Sequence, residues 1–300
     1  MKLEPFVQLR HALHRQPELS GSERATADII ADFFHALGPD LSIRNLGGYG
    51  LAFVFEGARP GPTVLLRCDM DALPIQEQTR RAYGSCHPGV AHQCGHDGHM
   101  AVMAAVGEAL SRRRPRRGRV VLLYQPAEET GQGAAAVIKD QKFAQIRPDL
   151  AFALHNLPGY PLGQVIVRAG TFNCASRGMA IRLLGRTAHA AQPETGVSPA
   201  SAMCELLSGL DALPPEVAPE GELGLVTVVG ARLGEKAFGT APGRADLWAT
   251  LRSETDQGMD RIVAYAEALA QRVAAAAELE LEITYEDVFP ATVNSPGAVN

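Results

Sequence analysis

Apolar side chains recur at three- and four-residue spacing over residues 4–16 and 22–37, the period of helices with one buried face. Ser22 is placed to cap the second of these and Gly38 to stop it. The pattern then shifts to short continuous apolar runs. One covers 51–56, and a second, Thr63-Val64-Leu65-Leu66-Arg67-Cys68, runs straight into Asp69-Met70-Asp71. Runs of this length and branching predict buried strands. A loop rich in Gly, Pro, Cys and His fills 84–98, and a helix is predicted from His99 to Arg112. Val120 to Tyr124 is another apolar strand, a helix follows near 132–141, and Leu150 to Leu154 is a third apolar strand ending in His155. Strands alternating with helices predict an α/β domain with a mainly parallel sheet and helices on its faces. Ligands of such sheets sit beyond the carboxyl ends of the strands. Asp69, Asp71, Glu128, Glu129 and His155 all fall just past strand ends.

The order changes after about residue 175. Strands at 179–184, 223–231, 245–252 and 280–286 and helices at 198–210 and 256–276 give βαββαβ, the ferredoxin-like unit. The expected organisation is therefore a first domain over 1–174, an inserted ferredoxin-like domain over 175–288, and a return to the first domain over 289–300 that is cut short.

Composition narrows the function classes. The 300 residues are 46% hydrophobic and 20% charged, the profile of a folded globular chain. The net charge of -5 gives no electrostatic case for nucleic acid or an anionic membrane as partner. Arg112-Arg113-Arg114-Pro115-Arg116-Arg117-Gly118-Arg119 lacks interleaved aromatics and reads as a solvated loop. The N-terminus has no signal-peptide run, and no apolar stretch approaches a membrane span of about 18 residues. The cysteines, Cys68, Cys86, Cys94, Cys174 and Cys204, are odd in number and show no disulfide framework. Reduced thiols in the cytoplasm are expected.

The strongest chemical signal is His92-Gln93-Cys94-Gly95-His96-Asp97-Gly98-His99. Thiolate and imidazole both suit borderline transition metals, and Gly95 lets the chain turn so that Cys94 and His96 converge. Glu128-Glu129 is the second signal. Adjacent carboxylates past a strand point in different directions, so that one can ligate metal while the other acts as a base. Taken alone, such a pair more often marks a helix N-terminus. His155 after the third strand is the third signal, and Asp69 with Asp71 on one side of an extended segment is the fourth. The aspartates could bind metal or hold a ligand histidine. This mixture of donors suits Zn or Mn over Mg or Ca. No phosphate loop or Gly-x-Ser-x-Gly elbow is present, which leaves hydrolysis by metal-activated water.

Six segments in order, His14-Arg15-Gln16-Pro17-Glu18-Leu19-Ser20, Arg67 to Pro74, Cys94 to Asp97, Gln125 to Glu129, Leu154 to Asn156 and Gly185 to Ala191, resemble the M20 metallopeptidases. The similarity is to the amidohydrolase branch, which includes hippurate hydrolases, indole-acetyl-amino-acid hydrolases and N-acetyl-diaminopimelate deacetylases. It implies two divalent metal ions and a bridging water that attacks an amide carbonyl of an N-acyl amino acid. It implies Cys94, His96, Glu129 and His155 as ligands, Glu128 as general base and then proton donor, and Asp71 as support. It further implies His189 polarising the carbonyl oxygen, Arg252 binding the substrate carboxylate, and a homodimer.

This chain departs from the family pattern at Gln93, where a small residue is usual, and at Gly239, where an asparagine usually helps hold the substrate carboxylate. The family pattern also continues past Asn300 into a closing segment with a last histidine ligand, and no histidine follows His189 here. Two other readings therefore stand beside the hydrolase. One is a truncated, non-catalytic or partly active chain that still binds metal and dimerises. The other is a zinc aminopeptidase.

Overall fold

The structure, a computed structural model, describes residues 2–212 and 217–299. Two compact units divide at Gln164/Val165. The first carries helices α1 (Glu4–Arg15), α2 (Arg24–His35), α3 (His96–Arg112) and α4 (Gly133–Lys139) and strands β1 (Leu41–Leu46), β2 (Gly50–Glu56), β3 (Thr63–Asp69), β4 (Arg119–Gln125) and β5 (Leu150–Ala153).

Its sheet has the order β1-β2-β4-β3-β5. Pairing is parallel across β4-β3-β5, the strands whose ends carry the candidate residues, and antiparallel across β1-β2-β4. The antiparallel part arises because β1, a strand with no continuous apolar run, turns back through Gly47-Gly48-Tyr49 onto β2. Alternation along β2 and β4 sorts the core into two layers. Leu51, Phe53, Phe55, Leu122 and Tyr124 pack with α1, α2 and α3, while Ala52, Val54, Val121 and Leu123 pack with Val137 of α4 and with Ile146. Phe34 is the hub of the first layer. It is fully buried, stacks on Phe53 at 3.9 Å and meets the edge of Tyr124 at 5.6 Å.

Two local expectations change. Ser22 is not the cap of α2; the helix begins at Arg24, and its first amides, Ala25 N–H and Thr26 N–H, donate to the Glu18 carboxylate at 3.2 and 2.8 Å. A carboxylate at a helix N-terminus satisfies orphan donors and meets the positive end of the helix dipole. Helix α3 starts at His96, not His99, because Gly95 at φ +96° turns the chain straight into it. Strand β5, apolar as expected, is exposed throughout because it pairs with β3 alone and forms the sheet edge.

The second unit contains the expected βαββαβ order: β7 (Ala175–Leu184), α5 (Ala200–Asp211), β9 (Gly224–Leu233), β11 (Arg244–Ser253), α6 (Asp256–Ala276) and β12 (Glu280–Phe289). These strands form an antiparallel sheet β12-β7-β11-β9, whose Met179, Ile181, Leu183, Leu247 and Leu251 bury against Leu206, Leu210, Ile262 and Ala266 of the helices. Thr255 caps α6 by accepting from Gly258 N–H at 3.0 Å. Short strands complete the unit: β8 (Ala188–His189) pairs with β10 (Thr240–Ala241), and β6 (Gly170–Asn173) pairs with β13 (Thr292–Asn294). The β6–β13 ladder joins 170–173 to 292–294 within this unit. Helix α7 (Pro296–Val299) follows. No helix among the described residues is long and apolar enough to cross a membrane. All five cysteines are unpaired.

Candidate metal centre

Three strand ends and one helix start converge in the first unit. His96, in the first turn of α3, is fully buried. Its Nδ1 lies 2.8 Å from the Asp71 carbonyl oxygen, an acceptor, so Nδ1 carries the proton and donates. Nε2 is thereby left facing Asp69 Oδ2 at 3.7 Å, Glu129 Oε1 at 3.6 Å and Glu128 Oε2 at 3.8 Å. Cys94 Sγ and His155 Nε2 are 3.4 Å apart, and the His155 ring stands 5.7 Å from that of His96.

Asp71 organises this cluster twice. Its carbonyl orients His96, while its Oδ2 accepts from Ser20 Oγ at 2.7 Å and from Glu129 N–H at 3.0 Å.

The electrostatics follow from crowding acidic groups in a dry site. Burial opposes a charged His96, yet Asp71, Cys94 and Asp69 raise its pKa to about 11. The His155 hydrogen bond, with His96 behind it, lowers the Cys94 thiol, and the same bond from Cys94 raises His155 to about 9. Burial raises Glu128, and the neighbouring Glu129 charge adds to this. Burial also works against the Asp69 carboxylate, but the His99 hydrogen bond together with the His96 and Arg67 charges outweighs it, and Asp69 falls to about 2.

The residues fit divalent cations. Two donor groups have ligand atoms within 4.8 Å of one another: Cys94, His96 and Glu129; and Asp69, His96, His99 and His155. His96 Nε2 and Glu129 Oε1 are both buried with no hydrogen-bond partner. Buried polar atoms are ordinarily paired, and a shared cation would satisfy both of these. Metal binding displaces the protons that such ligands otherwise hold.

His99 closes the histidine-rich segment and Asn156 the family-like segment after the third strand, but neither was given a role in the sequence. His99 Nδ1 donates to Asp69 Oδ1 at 2.6 Å, and its Nε2 lies 2.6 Å from Asn156 Oδ1, a second acceptor oxygen. With both nitrogens engaged, His99 reads as the bracket between β3, α3 and the segment after β5 rather than as a ligand. Its ring packs 4.5 Å from that of His155. The legible signal was its spacing: three residues after His96, on the same helix face.

His189 and Arg252 belong to the second unit. His189 sits in β8, opposite Thr240, and its Nδ1 accepts from Ala191 N–H at 3.1 Å, which puts the ring proton on Nε2. Arg252 is exposed on β11. Gly239 lies beside His189, its carbonyl accepting from Ala190 N–H at 3.0 Å, and a Cβ there would meet nothing within 4 Å.

A buried, acid-rich cluster of thiol, imidazole and carboxylate donors at the strand ends of an α/β sheet defines a metallohydrolase class of site. The pattern that defines peptidase family M20/M25/M40 matches residues 65–300, and the chain belongs to that family. It is a metal-dependent amidohydrolase. Among its relatives, the N-acetyldiaminopimelate deacetylase of Priestia megaterium is 30% identical over 289 residues, covering 96% of this chain and 76% of that protein. The hippurate hydrolase of Campylobacter jejuni is 29% identical, covering 98% of this chain and 76% of its own length. A solved structure from Bacillus subtilis, YXEP, described as a dinuclear metal-binding peptidase of the M20 family, superposes with a TM-score of 0.78 at 25% identity. It covers 99% of this chain and 77% of that one.

Proposed function

We propose that this protein hydrolyses the amide bond of N-acyl amino acids, with the Glu128–Glu129 pair carrying the reaction. The observation behind this reading is that both carboxylates approach one unpartnered imidazole nitrogen, His96 Nε2, at 3.8 and 3.6 Å, so one can ligate while its neighbour stays free for proton transfer. Cys94, His96, Glu129 and His155 would hold two divalent ions, Zn or Mn, which the mixed sulfur, nitrogen and oxygen donors suit. When bound, the ions polarise the amide carbonyl and make water acidic enough to ionise near neutral pH. Glu128 takes the proton of the attacking water and delivers it to the leaving amine. Asp71 fixes His96 and Glu129. His189, with its proton on Nε2, donates to the carbonyl oxygen as negative charge develops there. Arg252 binds the substrate carboxylate.

The second unit then supplies substrate contacts and the homodimer surface, while the first holds the metals. Five unpaired cysteines support a reducing compartment, the cytoplasm. The test is amide turnover by the purified protein with added Mn or Zn on a panel of N-acetyl and N-benzoyl amino acids. Glu128→Gln should abolish turnover while leaving metal stoichiometry intact. Full activity in that variant would refute the assignment, and preference for free-amine peptides would favour an aminopeptidase.

A further inference from the structure

The turn that carries Glu128 and Glu129 is braced from outside as well as from within. Ala127 adopts φ +48°, a left-handed conformation disfavoured for a residue with a Cβ. Gly133 N–H donates to the Ala127 carbonyl at 3.0 Å and Gly131 N–H to the Glu128 carbonyl at 2.8 Å, and two buried carboxylates add a hold from outside at alternate amides. Asp71 Oδ2 takes Glu129 N–H at 3.0 Å, and Glu23 Oε1 takes Ala127 N–H at 2.8 Å. Glu23 lies 104 residues from Ala127 in sequence, just before α2, and is fully buried. The same Oε1 accepts from Gly21 N–H at 2.9 Å, while Oε2 has no partner. Burial, with the nearby Asp71 charge adding to it, raises the Glu23 carboxyl pKa against the pull of three backbone amides. An incompletely satisfied buried carboxylate is costly, so its place beside the site calls for an explanation.

We propose that Glu23 is a positioning residue for the Glu128–Glu129 pair: its carboxylate oxygen holds Ala127 N–H and fixes the turn from which both glutamates project. The assignment of base and ligand rests on the hydrolase reading above. The positioning itself rests on the hydrogen bond and the strained turn. It predicts an unusual order among substitutions. What matters is an oxygen at the right reach, not the charge. Glu23→Gln keeps a carbonyl oxygen at the same distance. Glu23→Asp keeps the charge but falls one methylene short, and Glu23→Ala removes the acceptor.

The experiment titrates Zn and Mn into metal-free wild type and the three variants, reading stoichiometry, affinity and the metal-induced rise in melting temperature, followed by kcat and KM on N-acetyl amino acids. Glu23→Gln should bind metal within about threefold of wild type. Glu23→Ala and Glu23→Asp should lose about 10–100-fold in affinity, the range seen when support of a ligand is removed. Their kcat should fall with KM within about twofold. A glutamate that only supported the fold would lower the melting temperature of metal-free and loaded protein alike; loss of positioning shrinks the metal-dependent increment.

Should Glu23→Ala and Glu23→Asp fail to fold, hydrogen exchange at the Ala127 amide decides. Slow exchange in both wild type and Glu23→Gln supports the anchor, and exchange at the rate of an open loop in wild type overturns it. Wild-type metal affinity in Glu23→Ala, or loss of affinity in Glu23→Gln equal to that in Glu23→Ala, also overturns it. Wild type that binds metal but cleaves no amide would refute the hydrolase reading and leave the metal arm of this test standing.

Discussion

Replacing Gly95 by alanine places two demands on one methyl group. Gly95 sits at φ +96°, where a residue with a Cβ is strained by about 1–2 kcal/mol. The methyl would also run into Oδ1 of Asn156, the atom in hydrogen-bond contact with His99 Nε2 at 2.6 Å. Displacing Asn156 loses or weakens that hydrogen bond, at about 1 kcal/mol. Together these destabilise the first unit by about 2–3 kcal/mol. At about 2–4 °C per kcal/mol for a unit of this size, its melting temperature should fall by about 4–12 °C. Because Cys94 and His96 flank the altered residue, affinity for Zn should fall too, by about 10–100-fold. Differential scanning calorimetry with and without Zn reads both effects. A variant that melts within 1–2 °C of wild type and binds Zn equally would show that neither the backbone geometry nor the Asn156 contact governs the site.

Phe34→Ala removes the hub of the first core layer and should cost about 3–5 kcal/mol, read as a lower urea midpoint. Retention of the wild-type midpoint would refute the packing assigned to α2. In the second unit, the Arg244 hydrogen bond, with Arg182 behind it, holds the Asp246 carboxyl below its usual 3.8. A depressed folded-state pKa contributes stability above the unfolded value that is lost as pH falls through the folded one, so acidification below pH 3.8 should destabilise this unit. Asp246→Asn should flatten that dependence, followed by fluorescence of the single tryptophan, Trp248, on the same strand. Parallel acid profiles would refute it.

Much of the site could be read in the sequence because strand ends are local events. Apolar runs read as ending at Cys68, Tyr124 and Leu154 placed Asp71, Glu128, Glu129 and His155 at one edge of the sheet without any knowledge of the fold. The βαββαβ order was legible for the same reason: alternation and helical period are written in neighbouring residues. What escaped depends on partners far along the chain. Glu18 caps α2 from outside the helix, so Ser22 looked like the cap. The left-handed Gly95 starts α3 three residues early, which concealed that His96 and His99 share a helix face. Glu23 meets Ala127 across 104 residues, and no local pattern announces such a contact. Strand β1 lacked a run because its burial comes from its hairpin with β2 rather than from its own composition.

The edge strand β5 bears on how the protein behaves in a tube. Leu150 and Phe152 expose 42% and 39% of their surface, and on its outer side the strand has no hydrogen-bonding neighbour among the described residues. Apolar side chains on an open backbone edge make a template that extends by adding one more strand. Association through such an edge rises with protein concentration, driven by main-chain hydrogen bonds and apolar contact rather than by charge. A lysine at Phe152 charges this edge and should raise the concentration at which the purified protein stays dispersed.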